Sequence, residues 1–203
     1  MLSQTDNILF PDRCDVIEIS PQRYVYPIFK NGSGALGDLP HRTVNISQLT
    51  DHDVVDVFVR DPYERFLSGV QTFLRNHSEL DRSTALYFID QHLFLNRHFC
   101  TQFHWIVNLQ RHVPVNMRIL PIAELTEITS VLFNQYERDS DLSEYFAGNL
   151  KVQFYLQLDK VLTENLLHKT VNMRDILTTL KFSYPTVYEE VVQRSKNICT
   201  VLE

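Results

Sequence analysis

The run Val54-Val55-Asp56-Val57-Phe58-Val59 constrains this chain more than any other segment. Branched and aromatic residues fill every position but one, so both faces of the strand are apolar and both need cover. That is the situation of a central strand in a parallel sheet with helices on either side. Asp56 is the only polar residue in the run. The residues that follow spell a helix start: Asp61 as cap, Pro62 in the first turn, and Glu64 three residues after the cap. Phe66, Leu67, Val70, Phe73 and Leu74 then keep helical spacing to about Asn76. One strand and one helix in this order already point to an α/β fold.

Further elements fit the same scheme. Arg23 to Phe29 reads as a buried strand despite Pro27, Thr43 to Ile46 as a short strand, and Met117 to Ile122 as another. Helices are expected at Arg82–Leu95, over 101–111 and at Ala123–Glu137, then at Phe154–Leu167, Met173–Leu180 and Pro185–Val201. The expectation is one α/β domain over residues 1–203, with a small parallel sheet flanked by helices and a mostly helical last third. Residues 20–125 would form a ligand-binding core, and 126–203 a helical part.

Composition narrows the function. With 25 acidic residues against 19 Lys plus Arg, the chain carries a formal charge of −6, which argues against a general nucleic-acid binder. No apolar run reaches the roughly 18 residues of a membrane span, and the polar stretch Met1–Asn7 is not a secretory signal. Cys14, Cys100 and Cys199 have no metal-type spacing and suit a reducing, cytoplasmic setting, with one disulfide still open. His92, His98, His104 and His112 are spaced by 6, 6 and 8, which puts no two on one helix face at i, i+4, so no metal site is expected.

Two segments carry chemistry. In Lys30-Asn31-Gly32-Ser33-Gly34 the glycines let successive backbone N–H groups converge, Lys30 adds charge and Ser33 a hydroxyl. The same run also suits an ordinary exposed turn, and it lacks the order of a Walker P-loop, since Lys30 precedes the glycines. The second segment starts at the end of the buried strand. Arg60 lies at the edge where open α/β sheets bind ligands, and Arg65 and Ser68, three apart, share one face of the next helix. Arg60 and Ser68 could approach an anionic group from the strand tip and the helix flank. Arg65 could equally pair with Glu64 or Asp61.

A lysine-led, glycine-containing loop followed by strand-Arg-Asp-Pro-x-Glu-Arg-x-x-Ser resembles the sulfotransferase family, in the branch of the Golgi carbohydrate sulfotransferases and their bacterial relatives. The resemblance covers roughly residues 23–125. It implies a P-loop-like architecture and use of 3′-phosphoadenosine 5′-phosphosulfate (PAPS) as sulfuryl donor. Lys30, Asn31, Gly32, Ser33 and Gly34 would contact the 5′ end, while Arg60 and Ser68 would contact the 3′-phosphate. Lys30 would also stabilise the leaving oxygen. The family often carries His-x-x-Pro-Gln where this chain has His98-Phe99-Cys100-Thr101-Gln102, with a longer interval and Thr101 in place of proline. His98 is the implied general base, with His41, His104 and Glu64 as fallbacks. The acceptor would be a hydroxyl, most plausibly of a carbohydrate. The helix after the first loop is cut short by Gly37 and Pro40 where the family has a longer one, and the chain is compact and lacks the family's membrane anchor. A silent homologue that binds without catalysis and a small nucleotide or metabolite kinase are the competing classes. Neither the acceptor nor the oligomeric state is legible.

Overall fold

The computed structural model describes residues 15–28, 30–38, 40–91, 98–102, 105–106, 109, 116–129 and 140–168. The chain divides into two compact units, Met1–Glu137 and Arg138–Glu203. The first is α/β. Its strands are β1 (Asp15–Ser20), β2 (Arg23–Val25), β3 (Arg42–Asn45), β4 (Val54–Val59) and β5 (Asn116–Pro121). Its helices are α1 (Ser33–Gly37), α2 (Pro62–Asn76), α3 (Arg82–Gln91) and α4 (Leu125–Thr129).

The sheet is mixed, in the order β3-β1-β2-β4-β5, and corrects the expectation of a parallel one. β2, β4 and β5 are parallel neighbours, whereas β1 runs antiparallel to both β2 and β3. The reason is the length of a connection. Only Pro21 and Gln22 separate β1 from β2, and a parallel pairing would need a crossover of a dozen residues or so. The hairpin turns through Gln22, whose φ of 62° supplies the left-handed residue such a tight turn requires. A register shift between Glu18 and Ser20 follows at the same end. Asp15–Ser20 was not expected as a strand, although Val16 and Ile17 are both buried in it.

β4 occupies the predicted central place. Val54 to Val59 pairs with Asn116 to Pro121 without interruption on one side and with Arg23 to Val25 on the other. Asp56 is completely buried, and two neighbouring strands supply its partners. Arg118, directly opposite in register, donates from Nε to Oδ1 at 2.7 Å and from Nη2 to Oδ2 at 2.9 Å. Arg23 donates from Nε to Oδ2 at 2.8 Å. A carboxylate held by charged donors on both sides is what makes such burial tolerable.

Phe58 shares a face of β4 with Asp56 and packs with Ile17, Val25, Leu36 of α1 and Leu125 of α4. Val55, Val57 and Val59 point the other way and are also buried. The helix starts follow their sequence signals. Asp61 accepts from Glu64 N–H at 2.9 Å with Pro62 in the first turn, and Asp81 caps α3 through Thr84 N–H at 3.0 Å. The helix expected from Ala123 begins instead as a 3-10 turn at Ile122–Glu124 before α4.

In the second unit, α5 (Ser140–Ala147) and α6 (Leu150–His168) are antiparallel-hairpin candidates by their short joint alone. Asn149 caps α6 by accepting from Lys151 and Val152 N–H, both at 3.1 Å. α6 contains the expected helix 154–167, while α5 had not been expected. The helices read at 173–180 and 185–201 lie outside the described residues. Among the described residues no helix is long and apolar enough to cross a membrane.

Candidate functional site

Chain direction locates the site. After β2 the chain moves outward to β3 on one side, and after β4 it moves outward to β5 on the other. The carboxyl ends of β2 and β4 therefore flank the point where the sheet's connections diverge, the usual ligand crevice of open α/β sheets. Lys30–Gly34 follows β2 and Arg60 follows β4, so both predicted segments stand at this edge.

The two strands separate there in a defined way. Tyr26 N–H donates to Asp56 O at 2.9 Å, the last rung of the β2–β4 ladder. With this register a continued ladder would include rungs from Ile28 N–H to Phe58 O and from Arg60 N–H to Ile28 O. Neither forms. Ile28 N–H turns back to Tyr26 O at 3.1 Å, and Ile28 O accepts from Asn31 N–H at 3.1 Å. Two side-chain amides replace the missing rungs. Asn31 Nδ2 donates to Phe58 O at 2.9 Å, and Gln102 Oε1 accepts from Arg60 N–H at 3.0 Å. Gln102 Nε2 also donates to Arg60 O at 2.7 Å, and Asn31 Nδ2 to Gln102 Oε1 at 2.9 Å. Asn31 is 1% exposed and Gln102 0%.

The loop itself turns through left-handed backbone at Lys30 (φ 69°) and Gly32 (φ 77°). Gly32 caps α1 without any side-chain bond to the helix, Gly34 is exposed with open space beside it, and Ser33 is partly exposed. Asn31 is oriented inward: its backbone N–H and its side-chain Nδ2 both donate within the protein, while Oδ1 is buried without a partner.

Lys30 reaches across to α2, where Nζ donates to Thr72 Oγ1. The Thr72 hydroxyl donates in turn to Ser68 O at 3.0 Å. Burial and the positive charges of Arg75, Arg65 and Arg60 bring the Lys30 ammonium down to about 8 from its ordinary 10.5. Arg60 pairs with Glu64 at 3.4 Å, a long contact. Arg65 is fully buried and donates from Nη1 to the carbonyl of Cys100. Ser68 is buried beside it on the same helix.

Thr72 and Arg75 were not singled out in the sequence, yet the signal was there. Arg65, Ser68, Thr72 and Arg75 fall at i, i+3, i+7 and i+10, a polar stripe along one face of α2. Gln102 was noticed only as part of a longer likeness. The segment around it is pressed onto α2. A Cβ on Gly69 would stand 2.2 Å from His98 O and 3.0 Å from His98 C. His98 is 7% exposed, on the segment that carries Gln102. Of the fallback bases, His41 and Glu64 are partly exposed, and His104 lies outside the described residues, as do His92 and His112. Among the described residues no group of His, Cys, Asp and Glu is arranged to hold a metal ion.

The arrangement collects four cationic side chains (Lys30, Arg60, Arg65 and Arg75) and three hydroxyl-bearing residues (Ser33, Ser68 and Thr72) from two chain segments that follow β2 and β4. Its chemistry suits a small, multiply charged anion. Comparison of the chain with protein-family models, with curated proteins and with solved structures yields no match.

Proposed function

We propose that this chain is a PAPS-dependent sulfotransferase that transfers a sulfuryl group to an acceptor hydroxyl, of a carbohydrate by resemblance. The observation that carries the reading is the contact between Lys30, in the first segment, and Thr72, on the helix of the second, with Arg60, Arg65 and Arg75 acting on the same ammonium. A cofactor with a phosphosulfate at one end and a 3′-phosphate at the other fits a donor set divided in this way.

PAPS supplies an activated sulfuryl group on a good leaving group. In the transfer the acceptor oxygen forms a bond to sulfur, the bond from sulfur to the bridging oxygen breaks, and 3′-phosphoadenosine 5′-phosphate (PAP) departs. Lys30 is suited to the charge growing on that oxygen, and an anion beside it favours its protonated form. Arg60 and Ser68 hold the 3′-phosphate, and the glycine-containing turn from Gly32 to Gly34 faces the 5′ end. His98 receives the acceptor proton. Its burial, at 7% exposed, is the observation that favours the second reading, a homologue that binds the nucleotide and does not transfer sulfate.

Calorimetry with PAP tests the binding half. Wild-type protein should bind, and Arg60→Ala should weaken binding roughly 10- to 100-fold, the worth of a charged hydrogen-bonded contact. No heat at millimolar PAP would overturn both readings. Transfer of labelled sulfate to a carbohydrate acceptor panel separates them: wild-type turnover supports the enzyme, and binding without turnover supports the silent homologue.

A further inference from the structure

We propose that Gln102 is the positioning residue of this site, setting Arg60 and the Lys30 loop relative to each other without touching the ligand. The inference rests on the anion-site reading above and adds to it a residue that acts from outside the two ligand-binding segments.

The geometry is specific. A glutamine side chain has one carboxamide, and here both ends are used on a single backbone residue: Oε1 accepts from Arg60 N–H and Nε2 donates to Arg60 O. Both peptide groups flanking the Arg60 Cα are thereby fixed, and with them the direction in which its side chain leaves the strand. Arg60 needs this help because it lies one residue past the end of β4, where no strand neighbour remains for it. The second acceptance by Oε1, from Asn31 Nδ2, extends the hold to the residue next to Lys30. Asn31 in turn is tied to Phe58 O, two residues before Arg60. One buried amide thus fixes the separation of the strand tip from the loop.

Gln102 is itself held from behind. Arg65 Nη1 grips Cys100 O, and the His98 carbonyl lies against the bare Cα of Gly69. The segment His98–Gln102 therefore follows α2, so the stripe Arg65, Ser68, Thr72 and Arg75 shares one frame with Arg60 and Lys30. An apolar side chain of the same length at position 102 would remove the partner that Gln102 gives to Arg60 N–H, Arg60 O and an Asn31 proton at a partly buried place. Other protein partners would be reached only by moving.

The test uses full-length chain, with PAP as probe and Gln102→Met as the variant; Gln102→Asn, which keeps an amide one methylene short, is read in the same way if the first does not fold. PAP binding should weaken between about 5- and 100-fold in either variant, and the loss should be smaller in an Arg60→Ala background, where Gln102 has the Lys30 loop but no guanidinium left to position. An equal loss in both backgrounds, or no loss, would overturn the proposal. Without ligand, the Arg60 Nε–H and Lys30 Cε resonances should both shift in the variant. Unchanged resonances would overturn the proposal whether or not PAP binds, whereas shifted resonances in a protein that gives no heat with PAP would uphold the positioning and refute the function.

Discussion

Gly69→Ala is the sharpest single perturbation available. In most helix interiors the change is favourable, because Ala exceeds Gly in helix propensity by about 0.8–1 kcal/mol. At this position the new methyl would lie 2.2 Å from the His98 carbonyl oxygen, 3.0 Å from its carbon and 3.3 Å from Phe99 Cδ1. The first overlap is about 1 Å below ordinary contact, and it is with backbone, which has no rotamer to escape into. Relief requires the His98–Gln102 segment to move off α2, loosening the Arg65 bond to Cys100 and the Gln102 bonds to Arg60. Overpacking costs about 1–3 kcal/mol, and each weakened buried hydrogen bond about 1 kcal/mol. Less the propensity gain, a net loss of roughly 3–5 kcal/mol is expected, or about 6–20 °C in Tm. Gly34→Ala is the control, with nothing within 4 Å of the added methyl. Differential scanning calorimetry of the two variants reads the difference directly. A Gly69→Ala protein that melts at or above wild type would refute the reasoning.

Lys30 and Asp56 give the remaining predictions. The folded-state value of Lys30, about 8, lies below its ordinary 10.5, so the folded chain carries a penalty that is complete below pH 8 and fades as pH rises towards 10.5. Lys30→Met should therefore gain stability at pH 7 relative to wild type, by an amount reduced by solvent screening at this half-buried group. The gain should shrink between pH 8 and 10 in urea titrations; a difference flat with pH would refute the electrostatic account. Asp56→Asn leaves two guanidiniums facing a neutral amide in the sheet, and should cost about 2–3 kcal/mol in urea unfolding. A loss under about 0.5 kcal/mol would place it among surface substitutions and refute the role of the Arg23–Asp56–Arg118 arrangement.

Much of the fold was legible where a local rule decided the outcome. The Asp61-Pro62-x-Glu64 signal gave the start of α2 and the helical spacing from Phe66 to Leu74 its length, and the apolar run marked β4 as a strand inside the sheet. β1 was missed because its partners are an antiparallel neighbour on each side, so its six residues show no clean alternation of buried and exposed positions. The candidate site was legible in its charged members and not in what holds them. Lys30, Arg60 and Ser68 lie in recognisable runs. Gln102 acts on residues 42 and 71 positions away, and no spacing rule reaches that far. Asn31 was read as a ligand contact from the family resemblance, and the inward bonds of its Nδ2 to Phe58 O and Gln102 Oε1 have no counterpart in any local motif.

The mixed sheet also orders events in time. β1 and β2 pair through a two-residue hairpin, a contact that costs little chain entropy to close. Joining β4 and β5 to them demands distant encounters, such as the 62 residues between Asp56 and Arg118, and pairings of that kind set the pace of folding. The proposed site lies on the seam between β2 of that hairpin and β4, and the amide that joins Asn31 to it comes from 71 residues further along the chain. Assembly of the proposed anion site is thus expected to follow that of the hairpin which supports it.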